Sequence, residues 1–138
     1  MGCKPIDGGR QVCVFIKRSQ SGDLLKNIEY SGRVANVFSL PSNNRTVQLK
    51  GIDARILPFD SIDPPVIEAH IDDFLHEVVP MGMSERVIHA MFAFSPDDLV
   101  TVVYSPSAAF LQTPGPKAGK PIAAAPSRKS PRLPSVAR

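Results

Sequence analysis

Two short breaks constrain this chain more than anything else in it. Asp7-Gly8-Gly9 and Pro41-Ser42-Asn43-Asn44 each interrupt runs of β-branched, aromatic and aliphatic residues. A connection this short joins strands antiparallel, because a parallel crossover needs a dozen or more residues. Glycine, proline and asparagine supply the backbone angles that such turns demand. Residues 2–6 with 10–16, and residues 33–40 with the run that begins at Arg45, are therefore read as antiparallel hairpins. The first turn leaves two registers open. A three-residue loop sets Cys3 opposite Cys13, and a two-residue loop sets Cys3 opposite Val12.

Helical periodicity occupies much of the remainder. Ser21-Gly22-Asp23 offers a helix start, Leu24, Leu25 and Ile28 fall at helical spacing, and Gly32 supplies the stop. Asp63-Pro64-Pro65 opens a second helix. Asp63 is placed to cap it, and proline suits a first turn whose N–H would go unpaired. Ile67, Ile71, Phe74, Leu75 and Val78 then form one apolar stripe, which Pro80 and Gly82 terminate. Residues 84–94 lean towards helix in their first half. Residues 99–104 read as a buried strand and 110–112 as a short final one. Residues 45–57 read as one long strand, with Val47 and Leu49 on one face and Thr46, Gln48 and Lys50 on the other. Gly51 marks a bulge or a close backbone approach. Strands with two separate helices in a short chain imply an α+β, mainly antiparallel domain, whose edges need closure or a partner.

At 138 residues, 43% of them hydrophobic, the chain suits one domain with its own core. No apolar run approaches the roughly 20 residues of a membrane span, and the first residues lack the apolar core of a signal peptide. A cytoplasmic location is the default. Two cysteines cannot frame a disulfide scaffold and are read as free thiols. The net charge of +3 is uneven. The last 22 residues hold six basic side chains and no acid, leaving ten basic against thirteen acidic in the rest. The basicity therefore belongs to a Pro/Ala/Ser-rich tail, residues 120–138, expected to be disordered and solvated rather than a specific nucleic-acid site.

Little else in the chain suggests chemistry. His70 and His76 lie six apart and point to different faces of their helix, so they do not make a metal pair. No phosphate loop of the strand–glycine–helix kind occurs, and no serine or cysteine nucleophile motif. Asp97 and Asp98 follow Pro96 in a turn. There remains the polar face of the long strand, Thr46 and Gln48, and the cations Lys17 and Arg18 that end a neighbouring strand. Such groups can line a flavin site, hydroxyls and cations for the phosphate and amides for the ring edge, but on composition alone a solvated sheet face is the preferred reading.

Arg45-Thr46-Val47-Gln48-Leu49-Lys50-Gly51, followed by Gln112-Thr113-Pro114-Gly115-Pro116-Lys117-Ala118-Gly119, resembles the flavin-nucleotide-binding split-barrel superfamily, the group of pyridoxamine 5′-phosphate oxidase-like proteins. Upstream, Val14-Phe15-Ile16, a helix and Arg33-Val34-Ala35-Asn36-Val37-Phe38 are similar to the strand–helix–strand that precedes the same segment in the family. The resemblance covers about residues 2–119. It implies an α+β split β-barrel with two helices, a homodimer, and FMN bound between subunits. It further implies an FMN-dependent oxidoreductase of unknown substrate, in which the flavin supplies the chemistry and no protein nucleophile is used. Thr46 and Gln48 would then hydrogen-bond the flavin or its ribityl chain, and Lys17 and Arg18 would neutralise phosphate. Three departures qualify it. The family's flavin-contacting glutamine falls at Thr46, with Gln48 nearby on the same face. Its phosphate-gripping Arg-Lys pair falls at Asp23 and Leu24. Its opening strands have no counterpart here, which implies an unpaired edge or an opened barrel. The alternative reading is a non-catalytic split-barrel remnant without flavin.

Overall fold

The computed structural model describes residues 1–122. The elements in order are β1 (Gly2–Ile6), β2 (Gln11–Lys17), α1 (Gly22–Ser31), β3 (Val34–Leu40), β4 (Arg45–Gly51), β5 (Arg55–Pro58), α2 (Pro64–Val78), α3 (Glu85–Phe92), β6 (Leu99–Tyr104) and β7 (Ala108–Leu111). The strands form a four-stranded sheet, β1-β2-β6-β5, and a three-stranded sheet, β3-β4-β7. Every pairing is antiparallel. The α+β antiparallel expectation holds. Two details differ: α3 forms a third helix, and the two sheets stay separate rather than closing into one barrel. Residues 123–138, most of the expected tail, lie outside the described residues.

The hairpins form where the short breaks require them, but the first takes neither expected register. Ile6 pairs with Gln11, so four residues make the turn, Lys4 faces Cys13 and Cys3 faces Val14. The fourth residue is recruited because Arg10 closes the turn on Asp7, its N–H donating to the Asp7 carbonyl at 3.3 Å and its guanidinium to the carboxylate. Neighbouring positions on a strand point to opposite faces. Cys3 and Cys13 are therefore separated by the sheet, and both are free thiols.

The single long strand expected over 45–57 is two strands in different sheets. β4 ends at Gly51, where an added Cβ would lie 2.5 Å from the Tyr104 ring. The chain then turns, and two bonds hold the corner. Asp53 Oδ1 accepts the Ser105 N–H at 2.8 Å, and the Ala54 N–H donates to the Gly32 carbonyl at 2.9 Å. β5 departs to pair with β6. Both halves are apolar, so hydrophobic pattern alone hides the corner. Gly51 is the close approach its position suggested.

The four-stranded sheet carries packing on both faces at its centre, where β6 is buried along its whole length. Alternation divides it. Val12, Val14, Ile16, Val100, Val102 and Tyr104 pack against Leu25 and Ile28 of α1 and against Val34 and Leu49 of the three-stranded sheet. Cys13, Phe15, Leu99 and Val103 pack against Ile67, Val66 and Ile71 of α2. Phe15 is fully buried and meets Phe59 edge-on at 5.5 Å. Burying such a side chain stabilises by about 2–3 kcal/mol. α1 ends at Gly32, in the left-handed region at φ 63, with its N–H on the Ile28 carbonyl at 2.8 Å. The Asp63 side chain makes no cap bond at α2. It is buried against the Lys4 ammonium, tying the start of α2 to β1.

Candidate functional site

The three-stranded sheet brings the two sequence stretches together. β4 lies between β3 and β7, with Val37 opposite Gln48 and Gln48 opposite Phe110. Past the end of β7 the contact continues. The Gln112 N–H donates to the Thr46 carbonyl at 2.8 Å, and the Thr46 N–H donates to Thr113 Oγ1 at 3.0 Å. Residues far apart in sequence thus share one end of one sheet.

The two faces of this end differ. Leu49 packs into the core with Val34, so Val47 and Leu49 face inward and Thr46, Gln48 and Lys50 face outward. On the outer face the Ser39 and Thr46 hydroxyls lie 2.9 Å apart, and Gln112 Nε2 donates to Gln48 Oε1 at 3.5 Å. Lys50 Nζ sits 4.8 Å from the Phe110 ring centroid. Beside the β3–β4 turn is an open hollow of about 330 Å³, lined by Phe38, Leu40, Val47, Leu111, Arg45 and Thr113, with Ser39 and Thr46 at its margin. It has an apolar floor, one guanidinium and hydroxyls at the rim.

Lys17 and Arg18 are placed elsewhere. Lys17 pairs with Leu99 at the end of β2 in the other sheet. Arg18 lines a separate hollow of about 460 Å³ with Glu29, Pro58, Phe59 and Asp97 among its neighbours. The four residues singled out in sequence therefore do not border a common hollow within one copy: Thr46 borders the one by the turn, Gln48 lies on the outer face, and Arg18 borders the other. Arg45 is the cation that accompanies Thr46. It stood inside the recognised stretch, but nothing in the sequence showed that its strand would end beside Leu111 and Thr113. Asp23, in the first turn of α1, is exposed and pairs with Lys26 at 3.6 Å.

The remaining reactive side chains do not converge. Burial pushes the Cys13 thiol up to about 11 and raises Cys3 as well, so both are protonated at neutral pH. His70 is held below its ordinary value by burial and packs edge-on to Phe92 at 6.0 Å. Cys3 and His70 border one open hollow, yet no hydrogen bond joins them. β1 turns Gly2 and Lys4 towards α2, and with them the opposite face from Cys3. His76 is exposed, its Nδ1 2.9 Å from the Asp72 carbonyl. Among the described residues no group of three His, Cys, Asp or Glu side chains is placed to hold a metal ion. Asp98 fills the turn role expected of it, accepting the Ser19 N–H at 2.8 Å and the Ser19 hydroxyl at 2.6 Å. Among the described residues no helix is long and apolar enough to cross a membrane.

No family model matches the chain, and neither does any curated protein or solved structure.

Proposed function

We propose that the turn end of the three-stranded sheet binds a flat, phosphorylated heteroaromatic ligand, with FMN as the first candidate, in a split-barrel-like flavoprotein that works as a homodimer. One observation carries the reading: the stretches at Arg45 and Gln112, which together resemble the flavin-binding family, are hydrogen-bonded side by side. The apolar floor of Phe38, Val47 and Leu111 suits a ring, and Arg45 suits a phosphate. Thr46 and Thr113 supply hydroxyl groups at the rim for the ligand's polar edge, whereas Gln48 faces the other side of the sheet and has no part in that contact within one copy. Lys17, at the end of β2 in the other sheet, and Arg18, in the turn that follows it, have no part in that contact within one copy. The hollow is open, so a second copy is the natural lid. Flavin, when bound, would supply the redox chemistry of an oxidoreductase, and this chain would bind it, orient it and exclude water.

Titrating FMN and following its fluorescence tests this. The expected result is saturable quenching at micromolar FMN, weakened about tenfold or more by Arg45→Ala, a loss of about 1.4 kcal/mol or more, and unchanged by Gln48→Ala on the opposite face. Absence of saturation at about 100 µM FMN, where only a binding free energy weaker than about −5 kcal/mol would remain, sinks the flavin reading.

The second reading is a binding module that keeps this arrangement without flavin. Asp23 favours it: the position corresponding to the family's cationic phosphate grip carries an exposed acid. In that case wild type and both variants give the same unsaturated titration.

A further inference from the structure

Two sheets have four edges, and an exposed edge is a template for pairing with another chain unless something blocks it. Three of the four carry such a device. β1 holds Lys4 and Pro5 in a run of five residues. β5 is four residues long and ends in Pro58. The free side of β7 is taken by the chain that follows it. The Gly119 and Ile122 N–H groups donate to the Leu111 and Ala109 carbonyls, and the Leu111 N–H donates to the Lys120 carbonyl.

β3 has no such protection. It runs seven residues, Val-Ala-Asn-Val-Phe-Ser-Leu, without a charge or a proline. Its ladder with β4 is continuous, so no bulge twists it away. Among the described residues, no strand pairs with its other side. Val37 at its centre is 57% exposed and Leu40 is 38% exposed.

We infer that β3 is a self-association edge: two copies pair their β3 strands antiparallel about a two-fold axis at Val37, joining two three-stranded sheets into one of six strands. The occupant is a second copy because the strand complements itself. In that register Val37 meets Val37, Asn36 meets Phe38, Ala35 meets Ser39 and Val34 meets Leu40. No charge is set against its like, which opposed strands penalise, and apolar side chains meet at the centre and both ends. The nearest strand-flanking cation, Arg33, falls opposite Pro41. A two-fold contact of this kind closes on itself and stops at a dimer. The homodimer is already part of the flavin reading; the inference names the edge through which the copies meet, and it is argued from β3 alone. It would also continue the wall of the hollow, Phe38 and Leu40, onto a second molecule.

The test uses the full chain without flavin, in sedimentation equilibrium across a concentration series. Wild type is expected to be a dimer. Val37→Lys and Val37→Glu, each setting like charges together at the axis, are expected to be monomers with unchanged circular dichroism. An equimolar mixture of the two is expected to regain the dimer. Amide hydrogen exchange on wild type gives a readout that needs no variant: β3 amides become protected as concentration rises and the dimer forms. A wild-type monomer, β3 exchange that does not respond to concentration, or a dimer that survives both substitutions overturns the inference. An edge occupied by another segment of the same chain would appear as a monomer whose β3 amides are protected at every concentration.

Discussion

Gly51 and Tyr104 show how one residue fixes the path of the chain. The ring lies where the glycine's Cβ would be, 2.5 Å away, so Gly51→Ala must move an aromatic side chain that is itself fully buried. Overpacking of that kind costs about 1–3 kcal/mol. Urea unfolding should report a loss in that range, and a loss under about 0.5 kcal/mol, the scatter of ordinary surface changes, would mean that the contact is not tight. The Tyr104 hydroxyl points the other way energetically. It is buried and has no hydrogen-bond partner among the described residues. An unsatisfied buried hydroxyl is a cost, so Tyr104→Phe should leave stability unchanged or raise it by about 1 kcal/mol. Tyr104→Ala should cost about 3–5 kcal/mol, because it empties the space the ring fills. A large loss on Tyr104→Phe would show that the hydroxyl does have a partner.

At the scale of elements, α2 is held by an apolar stripe and one ion pair. Ile67 is fully buried between the helix and the four-stranded sheet, and Ile67→Ala should cost about 2–5 kcal/mol. The Lys4–Asp63 pair acts at the start of the helix. Asp63 is buried and the Lys4 side chain about one-third exposed, at 31%. A hydrogen bond to a charged group contributes about 1.5–3 kcal/mol, and partial exposure of Lys4 places this one at the lower end. Asp63→Asn should therefore destabilise by about 1–2 kcal/mol. A double-mutant cycle with Lys4→Met separates the pair from packing, and a coupling energy near zero would assign the loss to Asp63 alone.

For the whole molecule, two buried groups and one partly exposed one respond to alkali in the same direction. Burial raises Cys13 from its ordinary 9.0 to about 11 and Tyr104 from 10.0 to about 12. The Asp63 carboxylate raises Lys4 above its ordinary 10.5. In each case the folded chain holds its proton more tightly than the unfolded chain. Each contribution is therefore complete below the unfolded value and lost as pH rises through the folded one. Stability should begin to fall above pH 9.0, with Cys13 first, and fall further as Tyr104 and Lys4 follow. The Cys13 part is on the order of 2–3 kcal/mol. Unfolding free energies measured from neutral pH into alkali should show the decline, and Cys13→Val should delay its onset. A profile that stays flat to about pH 11 would contradict the burial of that thiol.

The sequence by itself determined what local chemistry can dictate. Turn residues set both hairpins, the prolines after Asp63 started α2, Gly32 ended α1, and alternation put Thr46 and Gln48 on the face opposite Val47 and Leu49. Tertiary structure decided the rest. The break after Gly51 depends on the Tyr104 ring and on Asp53 reaching Ser105, contacts that no window of sequence contains. The first hairpin's register turned on Arg10 bonding to Asp7, and Asp63 gave up its cap because Lys4, 59 residues away, offered a buried charge. The candidate site divides in the same way. Thr46 and Gln48 were legible as polar positions on a strand. That Arg45 would join Thr46 and Thr113 beside one hollow, while Lys17 and Arg18 lay at the end of a strand of the other sheet and just past it, followed only from which strands paired, and long-range pairing is settled by packing rather than by local pattern.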